Sequence, residues 1–267
     1  MPALLFEKQG HIALITMNRP EARNAVNPEL AILLTDAWRE VHDDPDIRCA
    51  VITGAGEAFC SGADLKRLIT LVTGARQPED EWDRKLAANP LAAGHVWLRD
   101  YDPEKPIIAA VNGFCIAGGL EMTCATDIRV AAEDAVFGLQ EAKWGLFPMG
   151  GSTIHLPWTM PFPRAMEVAL TARQFSAREA YEWGLLNKVV PRDQVVSEAM
   201  HYAEMIAENA PLSTKAIRKA IRSFIGRTEQ EALPLEQEIG FPCFLSEDAR
   251  EGPLAFKEKR KPNFRGR

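Results

Sequence analysis

Apolar and polar positions alternate at the start of the chain and then settle into helical spacing. Residues 4–8 and 12–17, separated by Gln9-Gly10, predict a β-hairpin. Leu30, Leu33, Leu34, Ala37, Trp38 and Val41 recur on one helical face, with Asn27 placed as N-cap, Pro28 at the first helical position and Asp43-Asp44-Pro45 as the stop. Residues 49–53 form a short continuous apolar run, the pattern of a parallel strand buried on both faces. Runs of the same kind at 107–111 and 127–131, with helix-like stretches between them, predict a layered α/β core.

The pattern loosens between residues 68 and 102. This stretch is charged, punctuated by Gly74, Pro78, Pro90 and Gly94, and only weakly amphipathic, which predicts one or two short helices in a mobile surface excursion suited to a lid. Beyond residue 192 strand patterns stop. Residues 195–207, 213–225, 229–245 and 246–259 have helical spacing, so the chain divides into a core over 1–191 and a helical region over 192–267.

Composition narrows the function classes. A chain of 267 residues, 46% hydrophobic, can bury a large core. Its net charge of −6 disfavours nucleic acid as a partner. A basic tail, Lys257, Lys259, Arg260, Lys261, Arg265 and Arg267 against Glu258, is read as a solvated end, with anion contact as the alternative. Five cysteines, at 49, 60, 115, 124 and 243, lack CxxC spacing and predict reduced thiols and a cytoplasmic location. The five histidines form no ligand pattern, so no metal site is expected. Neither a signal peptide nor a bilayer-spanning run is expected.

Three segments carry candidate chemistry. The first, Ala58-Phe59-Cys60-Ser61-Gly62-Ala63-Asp64-Leu65-Lys66, follows a predicted strand, and its small residues let a ligand approach free amides at a helix start. An ordinary tight turn is the plain alternative; nucleophilic catalysis by Cys60 or Ser61 lacks a GxSxG elbow or an obvious His/Asp partner. The second runs from Val111 through Gly118-Gly119-Leu120-Glu121, and its glycines do not fit GxGxxG. The third holds Glu141 ahead of Trp144-Gly145-Leu146-Phe147-Pro148-Met149-Gly150-Gly151-Ser152. Alone, Glu121 reads as a helix cap and Glu141 as a surface carboxylate. Together, two strand-to-helix glycine loops with carboxylates 20 positions apart describe acid/base chemistry beside an oxyanion site.

These segments, with Asn18-Arg19-Pro20, Arg23-Asn24-Ala25, the 126–138 strand region, Ser176-Ala177-Arg178-Glu179-Ala180-Tyr181 and Ser246-Glu247-Asp248-Ala249-Arg250-Glu251, resemble the crotonase superfamily, the enoyl-CoA hydratase/isomerase family. The resemblance covers nearly the whole chain. It implies an α/β fold, a spiral of ββα units, with C-terminal helices at trimer contacts and a homotrimer or homohexamer as the assembly. It also implies an acyl-CoA thioester substrate, with coenzyme A part of the substrate and no further cofactor.

By the same resemblance, the Ala63 and Gly118 amides hold the thioester oxygen. Ala63, Asp64, Leu65, Lys66 and Gly118 contact the substrate, while Arg23 and the tail lysines are weaker candidates. Hydratases of this family carry both glutamates, which implies that Glu121 activates a water for C3 and Glu141 delivers a proton to C2, two roles that could be swapped without changing the product. A 3-enoyl/2-enoyl isomerase, another dehydratase of the family and a non-catalytic acyl-CoA-binding module are the alternatives. Two departures reshape the pocket: Ala117 stands where many hydratases have glycine, and Gln140 where proline is common. Trp82, Trp97 and Trp144 are candidates for lining an apolar acyl cavity, with core packing as the alternative.

Overall fold

A computed structural model describes residues 2–267. Its strands are β1 (Leu4–Gln9), β2 (Ile12–Met17), β3 (Cys49–Gly54), β4 (Ala58–Cys60), β5 (Ile107–Val111), β6 (Phe114–Ile116), β7 (Ile128–Ala132), β8 (Val136–Gly138), β9 (Gln174–Ser176) and β10 (Lys188–Val190). The helices are α1 (Pro28–Asp43), α2 (Thr70–Val72), α3 (Glu81–Ala88), α4 (Ala92–His95), α5 (Gly118–Ala125), α6 (Ser152–Thr159), α7 (Phe162–Thr171), α8 (Ala177–Glu182), α9 (Val195–Ala207), α10 (Pro211–Phe224), α11 (Glu229–Phe244) and α12 (Asp248–Glu258). The predicted hairpin forms with Leu4 opposite Met17 and Gln9 opposite Ile12. The Asn27 side chain accepts from the Leu30 amide and caps α1, as its sequence position implied.

Two sheets share the chain. The larger has the order β1-β2-β3-β5-β7-β10, parallel from β2 onward; the smaller has the order β4-β6-β8-β9. From β3 to β8 successive strands alternate between them, so β3/β4, β5/β6 and β7/β8 each climb from the large sheet to the small one within a few residues. That alternation is the spiral of ββα units. Buried amides pin the crossings: Asn112 Nδ2 donates to Gly54 O (2.8 Å) and Gly56 O (2.9 Å), and Asn24 Nδ2 donates to Ala58 O (2.8 Å). The small sheet was not legible in the sequence, because three-residue strands hold too few positions to show a period.

Residues 68–102 correct the expectation of a loosely attached excursion. Leu86, Ala92, Val96, Trp97 and Leu98 join the core, so the segment packs down beside α1. Its charges are satisfied within the segment itself. Asp83 is fully buried, and the guanidiniums of Arg76 and Arg67 together with the Glu79 amide satisfy it, holding its carboxyl well below the usual range.

At the C-terminal end, α9 buries Val195, Ala199 and Ala203 against β3, β5 and β7. Helix α10 is fastened to the core by Arg218 and Arg222, which reach Asp127 at 2.8 and 2.6 Å. The basic tail folds back: Asp248 accepts from the Arg265 and Gly266 amides, and Arg260 pairs with Glu251 and Glu258. Among the described residues no helix is long and apolar enough to cross a membrane.

Candidate active site

Strands β4, β6 and β8 run parallel, so the loops after Cys60, Ile116 and Gly138 emerge on one side of the small sheet. Ala63 follows the first, Gly118 and Glu121 the second, and Glu141 the third. All four line one cavity of about 590 Å³. The segment 68–100 and the loop 144–150 supply most of the remaining wall, chiefly with Leu68, Val72, Leu91, Trp97, Phe147 and Met149.

Backbone geometry prepares the two amides. The Val26 amide donates to Gly62 O (2.8 Å) and the Asp64 amide to Val26 O (2.9 Å), so the Ala63 N–H between them points the other way. Gly118 opens α5, where an N–H has no acceptor within its own helix. The two loops touch. A Cβ on Gly62, at φ 91°, would lie 2.8 Å from Ala117 Cβ and 3.1 Å from Gly118 N. Gly118 is needed for space, since a Cβ there would meet the Trp97 ring at 2.6 Å. Ala117, where glycine was the family expectation, adopts φ 53°, ψ −124°, a strained conformation for a residue with a Cβ. The ladder holds it there: its amide donates to Gly138 O at 2.8 Å.

The two carboxylates sit in unlike surroundings. Glu121 Oε1 accepts from the Gly150 amide (2.8 Å), the Ser152 hydroxyl (2.9 Å) and the Ser152 amide (3.3 Å). Burial raises its pKa, while the Ser152 hydroxyl, the two amides and the charge of Arg99 oppose the rise. Glu141 is less well served: its Oε2 is buried without a partner, and only the Glu141 and Gln140 amides favour its charged form. Burial first, and then the charge of Glu121, push its pKa up to about 7. At neutral pH the pair is therefore asymmetric, with Glu121 the better-supported anion and Glu141 poised to hold a proton.

Other sequence-predicted residues fall in varied places. Leu65 lines the cavity mouth, and Lys66 is exposed beside it. The Asp64 carboxylate accepts from the Lys66 and Arg67 amides (both 3.1 Å) and faces Arg19, so its side chain is occupied within the protein. Arg23 stacks on Phe114. Trp97 and Trp144 line the cavity; Trp82 does not, and instead carries Lys85 over its ring, as the packing alternative had it. Cys60 is buried with its thiol pushed up to about 12, which removes it as a nucleophile. Among the described residues no cluster of His, Cys, Asp and Glu could hold a metal.

Sequence reasoning missed three residues. Gly150 and Ser152 were noted as loop members, yet nothing local marked them as the Glu121 cradle, because the contact spans 29–31 positions. Buried Arg129 also escaped. It donates to the carbonyls of Thr123, Cys124 and Thr126 at the C-terminal end of α5, fixing the helix that carries Glu121.

Comparison with known proteins gives concordant matches. A family model described as Enoyl-CoA hydratase/isomerase matches residues 7–267. Enoyl-CoA hydratase EchA19 of Mycobacterium tuberculosis is 44% identical over 266 residues, covering 100% of this chain and 97% of that protein. The (E)-benzylidenesuccinyl-CoA hydratase of Thauera aromatica is 41% identical over 273 residues, covering 100% of both. Among solved structures, that of an enoyl-CoA hydratase from Mycobacterium tuberculosis aligns with a TM-score of 0.89 at 36% identity over 100% of both chains.

Proposed function

We propose that this chain, which belongs to the enoyl-CoA hydratase/isomerase family, is a hydro-lyase that reversibly adds water across the 2,3 double bond of a 2-enoyl-CoA thioester. The observation that carries the reading is the asymmetric pair of buried carboxylates, Glu121 and Glu141, in one cavity with two amide-bearing loops. The thioester oxygen sits between the Ala63 and Gly118 amides, which stabilise the enolate formed when a nucleophile adds at C3. Each such donor contributes about 3–4 kcal/mol in the transition state. Glu121, held as a carboxylate by Ser152 and Gly150, orients the water and takes its proton. Glu141 delivers a proton to C2, and its pKa near 7 suits a group that must give and regain a proton at neutral pH.

No step calls on a resident cofactor; coenzyme A belongs to the substrate, and Ala63, Asp64, Leu65, Lys66 and Gly118 are assigned to contact it. A homotrimer or homohexamer, built through residues 192–267, is supported by large apolar side chains left exposed on α11 and α12, among them Phe241, Phe244 and Phe256. Five free cysteines support a cytoplasmic setting.

Incubating the protein with enoyl-CoA thioesters of graded length and following product mass tests the reading. Gain of one water supports it; an unchanged mass with shifted retention points to isomerisation; no turnover of any thioester refutes it. Glu121→Gln should lower hydration by about a hundred-fold or more, whereas an isomerase relying on Glu141 would keep its rate.

A further inference from the structure

One cation in the cavity wall has no counterpart. Arg99 lines the cavity, yet among the described residues its guanidinium takes part in no hydrogen bond, ion pair or ring contact. The chain delivers it there through a fixed reversal at the end of α4. Leu98 is buried and adopts φ 59°, its amide donates to His95 O, and the Arg99 amide donates back to Gly94 O. The neighbouring acid does not neutralise it. Asp100 folds over Gly94, where a Cβ would lie 2.6 Å from its Oδ1, and its carboxylate faces His95 Nε2 at 3.9 Å. Arg99 and Glu121 line the same cavity, and the Arg99 charge favours the carboxylate form of Glu121.

In the open cavity Arg99 is exposed to solvent, where water can satisfy a guanidinium. An acyl chain that fills the cavity displaces that water. A hydrocarbon chain would then leave the guanidinium without acceptors, whereas a chain bearing a carboxylate would replace the lost water with a planar, charge-assisted pair. Sites that bury a polar group in this way reject analogues lacking its partner.

We propose that Arg99 is a specificity-determining residue that receives a carboxylate carried on the acyl group, so that the preferred substrates are carboxy-substituted 2-enoyl-CoA thioesters rather than plain hydrocarbon ones. The proposal rests on the hydratase reading above and names its substrate class.

The test compares matched pairs of 2-enoyl-CoA thioesters of increasing length, one ending in a methyl group and one in a carboxylate, on the full chain in its native assembly. At the best length kcat/KM should favour the carboxylate by about 10-fold or more, and Arg99→Ala should lower that ratio by about 10- to 100-fold. Arg99→Glu should turn the preference toward an amine-terminated chain, which a purely structural role would not do. A ratio at or below one at every length, or a ratio unchanged in Arg99→Ala, overturns the proposal. A contact between Arg99 and the coenzyme A phosphates gives that second result, because both thioesters share them. Calorimetric binding of the saturated thioesters reads the same ratio without chemistry, so the proposal stays decidable even if turnover fails and the hydratase reading falls.

Discussion

Replacing Glu141 by Gln should stabilise the folded protein in mild alkali and leave it unchanged in mild acid. In the fold the Glu141 carboxyl titrates near 7, against 4.5 for a free glutamate, because burial removes its water and Glu121 adds a like charge. Between those two values the folded chain keeps a proton that the unfolded chain has released, so stability falls as pH rises through the window. The slope is about 1.4 kcal/mol per pH unit, which gives a ceiling on the order of 3 kcal/mol once both limits are passed. Glutamine mimics the protonated acid, and Oε2 has no partner to lose. Wild type and Glu141→Gln should therefore match at about pH 5 and diverge by about pH 8, with the variant melting several degrees higher at the upper pH. Thermal denaturation at fixed protein concentration measures this, while the hydration rate of the variant should collapse at both pH values. A stability difference that does not change with pH, or a variant less stable at high pH, would refute the electrostatic account of the pair.

Three further outcomes follow from the same geometry. Ser152→Ala removes a hydrogen bond that favours the Glu121 carboxylate, so the acidic limb of the kcat/KM profile should move to higher pH. The limbs of that profile belong to the coupled carboxylates jointly. Gly118→Ala drives a methyl group against the Trp97 ring, and should lower both thermal stability and hydration rate, with a shift in tryptophan fluorescence reporting the displaced ring. Arg129→Leu strips donors from the carbonyls ending α5, and should cost about 3 kcal/mol in denaturant unfolding.

Much of the large sheet and the helices was legible because their periods are long enough to read. Residues 12–17 and 195–207 appear in the structure with the predicted extents, the first long helix starts at Pro28 as predicted and takes in Asp43 of the predicted stop, and the strand at 49–53 runs one residue further. The small sheet was hidden: its strands are recognisable only through the ladder that pairs them. The site was legible as glycine loops with carboxylates, and the spacing of 20 now has a physical origin. Glu121 and Glu141 hang from β6 and β8, neighbours in one sheet, and the intervening residues form α5 and one pass through the large sheet. The cradle of Glu121 and the free guanidinium of Arg99 were not legible, since each depends on contacts between distant segments. The 68–102 stretch misled because its charges read as solvent-facing, whereas Asp83 is buried among arginines.

The parallel register of β4, β6 and β8 also bears on how the protein fails with heat. Both amides and both acids are carried at the same end of one short ladder, so thermal breathing that tilts the small sheet as a body moves all four in step. Among motions of the small sheet itself, only slippage of one strand past its neighbour would pull donors from acids, and that requires breaking ladder bonds inside the core. Inactivation on warming should therefore be abrupt, tracking cooperative melting rather than preceding it as a gradual loss of competence.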